Sequence, residues 1–433
     1  RRGPGRRAFP SGCDQKARAR RCKSSPGIEP GCGFRLARGP SGHNAACSRR
    51  LKIVRVLLDV SAVPSRPVGA GVYTIQIARS LDEHPEVDLL LAARSDDEQR
   101  WSAIAPNSTV AAEVPTSRPQ RILWEQTKAP KLAKRMKADL WHGPHYTMPA
   151  RLHIPSVVTI HDLTFFDHPE WHEKSKVLFF QRMIRRSIRN ASALICVSHH
   201  TKDRLAAVLD PSTPIHVASH GVDHARFRPL NRPEEIEADL DLLAHNGIRP
   251  PYLAFVGTLE PRKDIPSLVE AFTEIADDYP ELRLVIAGSD GWGAKEVRDS
   301  VARSGYTTRI LRPGYLPAEV LAPFLRRASV VAYPSLEEGF GLPALEALAS
   351  GDPVVTNTGS AIGEVCGEAA RLTPPAVPNE LAAAIAGLLD DRTESERLRI
   401  AGPARASTFT WDRATTNHIL AYRDAMDQAS KRV

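Results

Sequence analysis

The chain has 433 residues, 42% of them hydrophobic and 25% charged, which is too long for one ordinary core and suits two globular domains. Its formal charge of +8 invites a nucleic-acid or anionic-membrane reading, but residues 1–50 hold eleven Arg and two Lys against Asp14 and Glu29. The tail thus carries +11 and the other 383 residues −3. An acidic body argues against nucleic acid as a partner, and no run of about eighteen apolar residues is present to span a membrane.

The tail is rich in Arg, Gly, Pro and Ser and has no hydrophobic period, so it is expected to be disordered. It reads as an over-extended gene start, with initiation near Leu51 or Val54. A nucleic-acid-binding arm is the alternative, although only Phe9 and Phe34 interrupt its basic residues. It lacks the apolar core of a signal peptide. Cys13, Cys22, Cys32 and Cys47 fall in the tail at spacings unlike zinc pairs, and only Cys196 and Cys366 lie beyond it, as in a reduced, cytoplasmic protein.

From residue 51 onward, short β-branched runs alternate with amphipathic helical stretches, the pattern of α/β units with parallel sheets. Strands are expected at 53–59, 88–92, 139–142, 156–160, 193–197 and 215–218. A second series falls at 252–256, 283–287, 308–311, 330–332, 353–356 and 370–372. The proline-bearing stretch between them divides the body into a domain over 51–228, a linker over 229–250 with a short helix near 234–243, and a domain over 251–408. The fold class is α/β, with two tandem Rossmann-like doubly wound domains and ligands expected at the carboxyl ends of the strands.

Polar residues and glycines gather at those ends. His161-Asp162 follow the fourth expected strand of the first series; Gly257 to Lys263 follow the first of the second series, and Gly288 to Gly291 the next. After the 330–332 strand comes Ser335-Leu-Glu-Glu338-Gly339-Phe340-Gly341-Leu342-Pro343-Ala-Leu-Glu346. Pro343 marks the start of a helix, with Glu338 in the loop and Glu346 about one turn in. Gly339 and Gly341 let backbone N–H groups approach a phosphate or sugar hydroxyl at the positive end of the helix. The blander reading is a strand-to-helix turn with a solvated Glu338.

Arg262 and Lys263 are a planar fork beside a point charge, suited to a diphosphate; as mere surface charges they would oppose the dipole of the helix that follows. His161 could donate to a sugar hydroxyl or support charge at a reacting centre, with Asp162 capping the next turn or fixing the imidazole tautomer; a satisfied buried histidine is the alternative. Gly69-Ala-Gly71 lacks the Gly-x-Gly-x-x-Gly turn of a dinucleotide fold, which disfavours NAD, yet its backbone could reach a phosphate. The 174–189 stretch separates basic from apolar residues and reads as an amphipathic helix, either packed on the body or lying on a membrane surface.

On Glu338-x7-Glu346, Gly257-Thr-Leu-Glu-Pro-Arg-Lys-Asp264, His161-Asp162, Val197-Ser198, Gly221-Val-Asp223 and Gly314-Tyr315, which follow one another along the chain in the family's order, residues 53–428 resemble the retaining GT-B glycosyltransferases of family 4 and, more loosely, their bacterial mannosyltransferase members. The resemblance implies GT-B architecture with an interdomain cleft and a C-terminal helix, within 409–433, crossing back to the first, acceptor-side domain. It implies that Glu338 contacts the donor hexose, Glu346 the ribose, and Arg262 and Lys263 the diphosphate. His161 would lie near the reacting centre, Gly69 and Gly71 near the phosphates and acceptor, and Gly314-Tyr315 beside the nucleobase. Gly257, Gly339, Phe340, Gly341 and Leu342 would complete the donor site. The implied reaction transfers a hexose, best read as mannose from GDP-mannose, to a glycan or lipid-linked hydroxyl with retention, using no cofactor and no metal. A GT-B-like epimerase or phosphorylase, or a non-catalytic sugar- or nucleic-acid-binding protein, is the alternative. Ala361-Ile-Gly-Glu364 and His220 depart from the family's pattern.

Overall fold

Side chains that alternate across the first strand build two cores at once. Val56 and Leu58 enter one cluster while Leu57 enters the other on the opposite face, as the period of two requires. The structure, a computed structural model, describes residues 53–431; the expectations for the tail and its cysteines lie outside them.

The first sheet contains β1 (Val54–Asp59), β2 (Val87–Arg94), β3 (Thr109–Val114), β4 (Leu140–Gly143), β5 (Ser156–Ile160), β6 (Ala193–Cys196) and β7 (Ile215–Val217), in the order β3-β2-β1-β4-β5-β6-β7. The second contains β8 (Tyr252–Val256), β9 (Arg283–Ala287), β10 (Ile310–Gly314), β11 (Val330–Tyr333), β12 (Val354–Asn357) and β13 (Arg371–Thr373), in the order β10-β9-β8-β11-β12-β13. The pairings are parallel throughout. Each sheet therefore reverses its winding once, between β1 and β4 in the first and between β8 and β11 in the second, and open parallel sheets bind ligands at such reversals.

The sequence reading lacked β3, an edge strand with little buried surface; its Ala-rich Thr-Val-Ala-Ala-Glu-Val carries no strong period of two. β10 extends to Gly314 rather than ending near 311. The helix expected within the linker spans Pro233–His245, and its buried Asp239 accepts from Arg326 at 3.0 Å and Arg327 at 2.9 Å, which fastens it to the second lobe. The last helix, Trp411–Ser430, places Ala414, Ile419, Ala421, Tyr422 and Ala425 in the core of the first lobe. Among the described residues no helix is long and apolar enough to cross a membrane.

Candidate active site

The loops leaving β5 and β11 meet backbone to backbone. A Cβ on Gly339 would stand 1.8 Å from the carbonyl oxygen of His161, so glycine is needed there for close approach. Gly341, at φ 97°, needs it for conformation and opens the helix Leu342–Ser350. The helix His199–Leu209 reinforces this junction from the first lobe. Ser198 Oγ donates to Gly339 O at 2.8 Å, and the Thr201 hydroxyl lies 3.2 Å from both Gly339 O and His161 O. Glu364 accepts from the N–H groups of His199 and His200 at 3.1 and 2.8 Å, so a carboxylate of the second lobe caps the positive end of a helix of the first. His200 Nε2 lies 2.7 Å from Glu337, whose hydrogen bond raises the imidazole pKa.

Arg262 and Lys263 do not stand free. Arg262 donates through Nη1 to Glu338 at 2.7 Å and through Nε to Glu260 at 2.7 Å, and Lys263 Nζ pairs with the other Glu338 oxygen. Leu336 N donates to Arg262 O at 2.8 Å, tying the two loops together. Burial alone would raise the pKa of Glu338, but the two cations outweigh it and hold it at about 2. Burial and neighbouring Arg262 push Lys263 below the usual lysine range, against the pull of Glu338. Two cations against two carboxylates leave this cluster near neutrality. Glu338, read from sequence as a sugar contact or a solvated loop residue, is 7% exposed and serves here as their counter-ion.

His161 is buried, and its Nε2 lies 2.8 Å from Pro144 O. A carbonyl only accepts, so Nε2 carries the proton and Nδ1 remains as an acceptor. Burial lowers the pKa of the ring, which is therefore neutral. This corrects the sequence reading: the imidazole offers a substrate hydroxyl an acceptor, since its donor is already engaged. Asp162 does cap the next turn, accepting from Thr164 N at 3.1 Å and its hydroxyl at 2.8 Å, while Pro144 sets the tautomer.

Beneath His161 runs a hydrogen-bonded ring that the sequence reading missed. His418 Nδ1 lies 2.7 Å from Ala414 O and must donate, so His418 Nε2 accepts from the Tyr73 hydroxyl at 2.7 Å. Tyr73 then accepts from Thr159 at 2.9 Å, Thr159 from His142 Nε2 at 2.9 Å, and His142 Nδ1 from Tyr422 at 2.8 Å. One fixed carbonyl thus sets every proton in a circuit that begins and ends on the C-terminal helix. Burial depresses the pKa of His142 and holds His418 at about 4. The Tyr73 ring meets His161 edge-on at 5.0 Å. A visible signal was His418 and Tyr422, four apart on the apolar face of the last helix.

The remaining expected residues are spread along both sides of the junction. Gly69 and Gly71 begin the helix Ala70–Asp82 after β1. Gly257 leaves β8, its N–H bonded to Ala287 O at 2.9 Å. Gly314 closes β10, and the half-exposed Tyr315 ring carries the Arg66 guanidinium of the first lobe 5.7 Å from its centroid; Arg66 had not been singled out. The Phe340 side chain is buried against His220 at 4.5 Å, so only its backbone is available to a ligand. Leu342 is buried at the helix start. Glu346 lies one turn in, where burial pushes its carboxyl up to about 7, with Arg226 opposing and Asp223 adding to the shift. Among the described residues no group of three or more His, Cys, Asp or Glu is placed to hold a metal ion.

Two doubly wound lobes meeting at their strand ends, with a buried Arg–Lys–Glu cluster at the second winding reversal, define a GT-B architecture. Among solved structures, similar folds are sucrose-phosphate synthase from Thermosynechococcus elongatus (TM-score 0.68, 20% identity, covering 86% of this chain and 98% of that one) and Anabaena Alr3699/HepE in complex with UDP-glucose (TM-score 0.68, 19% identity, 87% and 99%). Residues 67–226 match the family model described as Glycosyltransferase Family 4, and residues 250–391 the one described as Glycosyl transferases group 1. O-antigen chain mannosyltransferase B of Escherichia coli is 29% identical over 352 residues, 80% of this chain and 88% of that protein. MMP alpha-(1->4)-mannosyltransferase of Mycolicibacterium hassiacum is 30% identical over 292 residues, 64% and 67%. The chain belongs to the group 1 and family 4 glycosyltransferases.

Proposed function

We propose that this glycosyltransferase moves mannose from GDP-mannose to a hydroxyl of a glycan or lipid-linked acceptor, with retention and without a metal. The carrying observation is the cluster in which Arg262 and Lys263 are held on Glu338 where the two lobes meet. Cleaving a sugar–diphosphate bond builds negative charge on the leaving phosphate, and fixed cations in a water-poor site are the most effective way to stabilise it. A buried pair of cations without an anion would be costly, so Glu338 fills that role until a diphosphate arrives. The diphosphate then takes over the two cations, and Glu338 becomes available to accept from donor-sugar hydroxyls.

His161, neutral and with Nδ1 as acceptor, is suited to orient a hydroxyl of the donor sugar. Arg66 and Tyr315 bracket the outer edge of the cleft, the side on which Gly314 and Tyr315 would border the nucleobase. The choice of mannose rests on the two mannosyltransferase relatives, and retention on the family resemblance. A cytoplasmic location with peripheral membrane contact belongs to the same proposal; the basic helix Lys174–Asn190 exposes Leu178 at 72% while burying Met183, Ile184 and Ile188.

Thermal stabilisation by GDP-, UDP- and ADP-sugars tests the donor, because a ligand of the native state raises apparent stability. GDP-mannose should give the largest shift, and mannose transfer should persist in EDTA. A shift with UDP-glucose alone, or activity abolished by EDTA and restored by a divalent ion, would overturn this reading.

A further inference from the structure

His161 is held by one hydrogen bond and a cage of rings. Its Nε2 donates to Pro144 O at 2.8 Å, which pins one atom and leaves the imidazole free to swing about that point. Tyr73, His145 and Tyr146 meet its plane edge-on, with centroids 5.0, 5.5 and 5.7 Å away and planes at 81°, 81° and 75°. Edge-to-face contacts between rings are directional, so these three set the imidazole plane and with it the direction of Nδ1. His145 and Tyr146 follow Pro144 on one loop and shift with its carbonyl. Tyr73 reaches His161 from a different element, the helix Ala70–Asp82.

Tyr73 is fixed more firmly than filling space requires. Phenylalanine would fill the same place, whereas a buried hydroxyl must be desolvated and partnered. The Tyr73 side chain is fully buried, out of reach of a substrate, yet its hydroxyl is bonded both ways: it donates to His418 Nε2 at 2.7 Å and accepts from Thr159 at 2.9 Å. Thr159 stands two residues before His161, the spacing that puts two side chains on one face of a strand. His418 comes from the last helix, Trp411–Ser430, where Ala414 O fixes its ring at 2.7 Å. The Tyr73 ring also meets His220 at 4.9 Å, and His220 packs on Phe340 at 4.5 Å and on Trp411 at 5.9 Å. One ring therefore joins the imidazole, the 338–341 loop and the last helix.

We propose that Tyr73 is a positioning residue: gripped by His418 and Thr159, it orients the His161 imidazole toward the donor sugar. The last helix, which follows the second lobe in the chain, thus sets the geometry of the reacting centre from beneath. This rests on reading His161 as a donor-sugar contact and adds what holds it there. An imidazole released by Tyr73 turns away from Pro144 O, and without that acceptor its proton is shared between the two nitrogens.

The test uses the full chain in two assays. Side-chain nitrogen NMR of labelled histidine, with the His161 signal identified by its loss in His161→Gln, should show one neutral form protonated on Nε2 in the wild-type protein. In Tyr73→Phe both neutral forms should appear. GDP release from GDP-mannose, with water as acceptor, should fall about ten- to a hundredfold in kcat, the scale of an ångström-sized misplacement. KM should stay within about twofold, because the donor's own contacts are intact. Combining Tyr73→Phe with His418→Leu removes both partners, so the double variant should regain the thermal stability lost in the single change without regaining kcat; it also carries the test should the single variant fold poorly. An unaltered His161 signal in the variants, or kcat returning together with stability in the double variant, would overturn the proposal. No GDP release from the wild-type protein would count against the donor reading alone, and the His161 signal still decides the positioning role.

Discussion

Gly339→Ala isolates the junction between the lobes. The added methyl carbon would sit 1.8 Å from His161 O and 2.7 Å from its carbonyl carbon, where contact begins near 3.5 Å, so the loop must retreat by roughly an ångström or more. Gly339 does not have a positive φ, and alanine carries no conformational penalty of its own there. The retreat breaks the bond from Ser198 to Gly339 O and weakens those of Thr201 and of His200 to Glu337. At about 1 kcal/mol each, this amounts to about 2–3 kcal/mol against the joined state, or roughly 30- to 150-fold in the equilibrium constant for joining. Steady-state kinetics with GDP-mannose should show kcat/KM lower by about that factor, and small-angle scattering a larger radius of gyration. Gly387→Ala, in the helix Pro378–Asp390 with nothing within 4 Å of the new Cβ, should be silent in both assays. A Gly339→Ala protein with the wild-type scattering profile and kcat/KM within threefold would refute the argument.

Lys263→Ala should lower kcat/KM by about 10²- to 10³-fold, the usual loss for one group stabilising transition-state charge, while Arg262 still pairs with Glu338; activity within a few-fold of wild type would count against the diphosphate role. Tyr422→Phe strands the buried Nδ1 of His142 and should cost about 1–3 kcal/mol, read from the urea midpoint at constant m-value. The histidine ring should contribute a loss of stability in mild acid. His418 has a native pKa of about 4 against about 6.5 unfolded, so below pH 6.5 the unfolded chain binds the extra proton. Stability then falls through the window from 6.5 to 4 by about 3 kcal/mol from this residue alone, with His142 and His220 adding in the same direction. Glu338, held at about 2, contributes loss only below about pH 4.5, whereas Glu346 and Glu125, raised to about 7 and about 8, add stability as pH falls through the same window; the test is therefore the difference between wild type and His418→Gln, and a difference that does not change between pH 6.5 and 4.5 would contradict the neutral histidine ring.

Local patterns made twelve strands and the helix of the linker legible, because the periods of two and 3.6 are written into neighbouring residues. They also placed His161, Arg262, Lys263 and Glu338 at strand ends, since polar residues and glycines interrupt apolar runs there. β3 escaped because its alanines and half-exposed edge position leave no alternation to read. What could not be read was pairing across distance. Glu338 as counter-ion to Arg262 and Lys263, Glu364 capping a helix 164 or more positions away, and the ring joining Tyr73, His142, Thr159, His418 and Tyr422 all depend on which loops the two windings bring together. A side chain's type and its place on a strand or helix follow from local sequence. Whether its proton or charge is free for a substrate depends on partners supplied only when the lobes close around it.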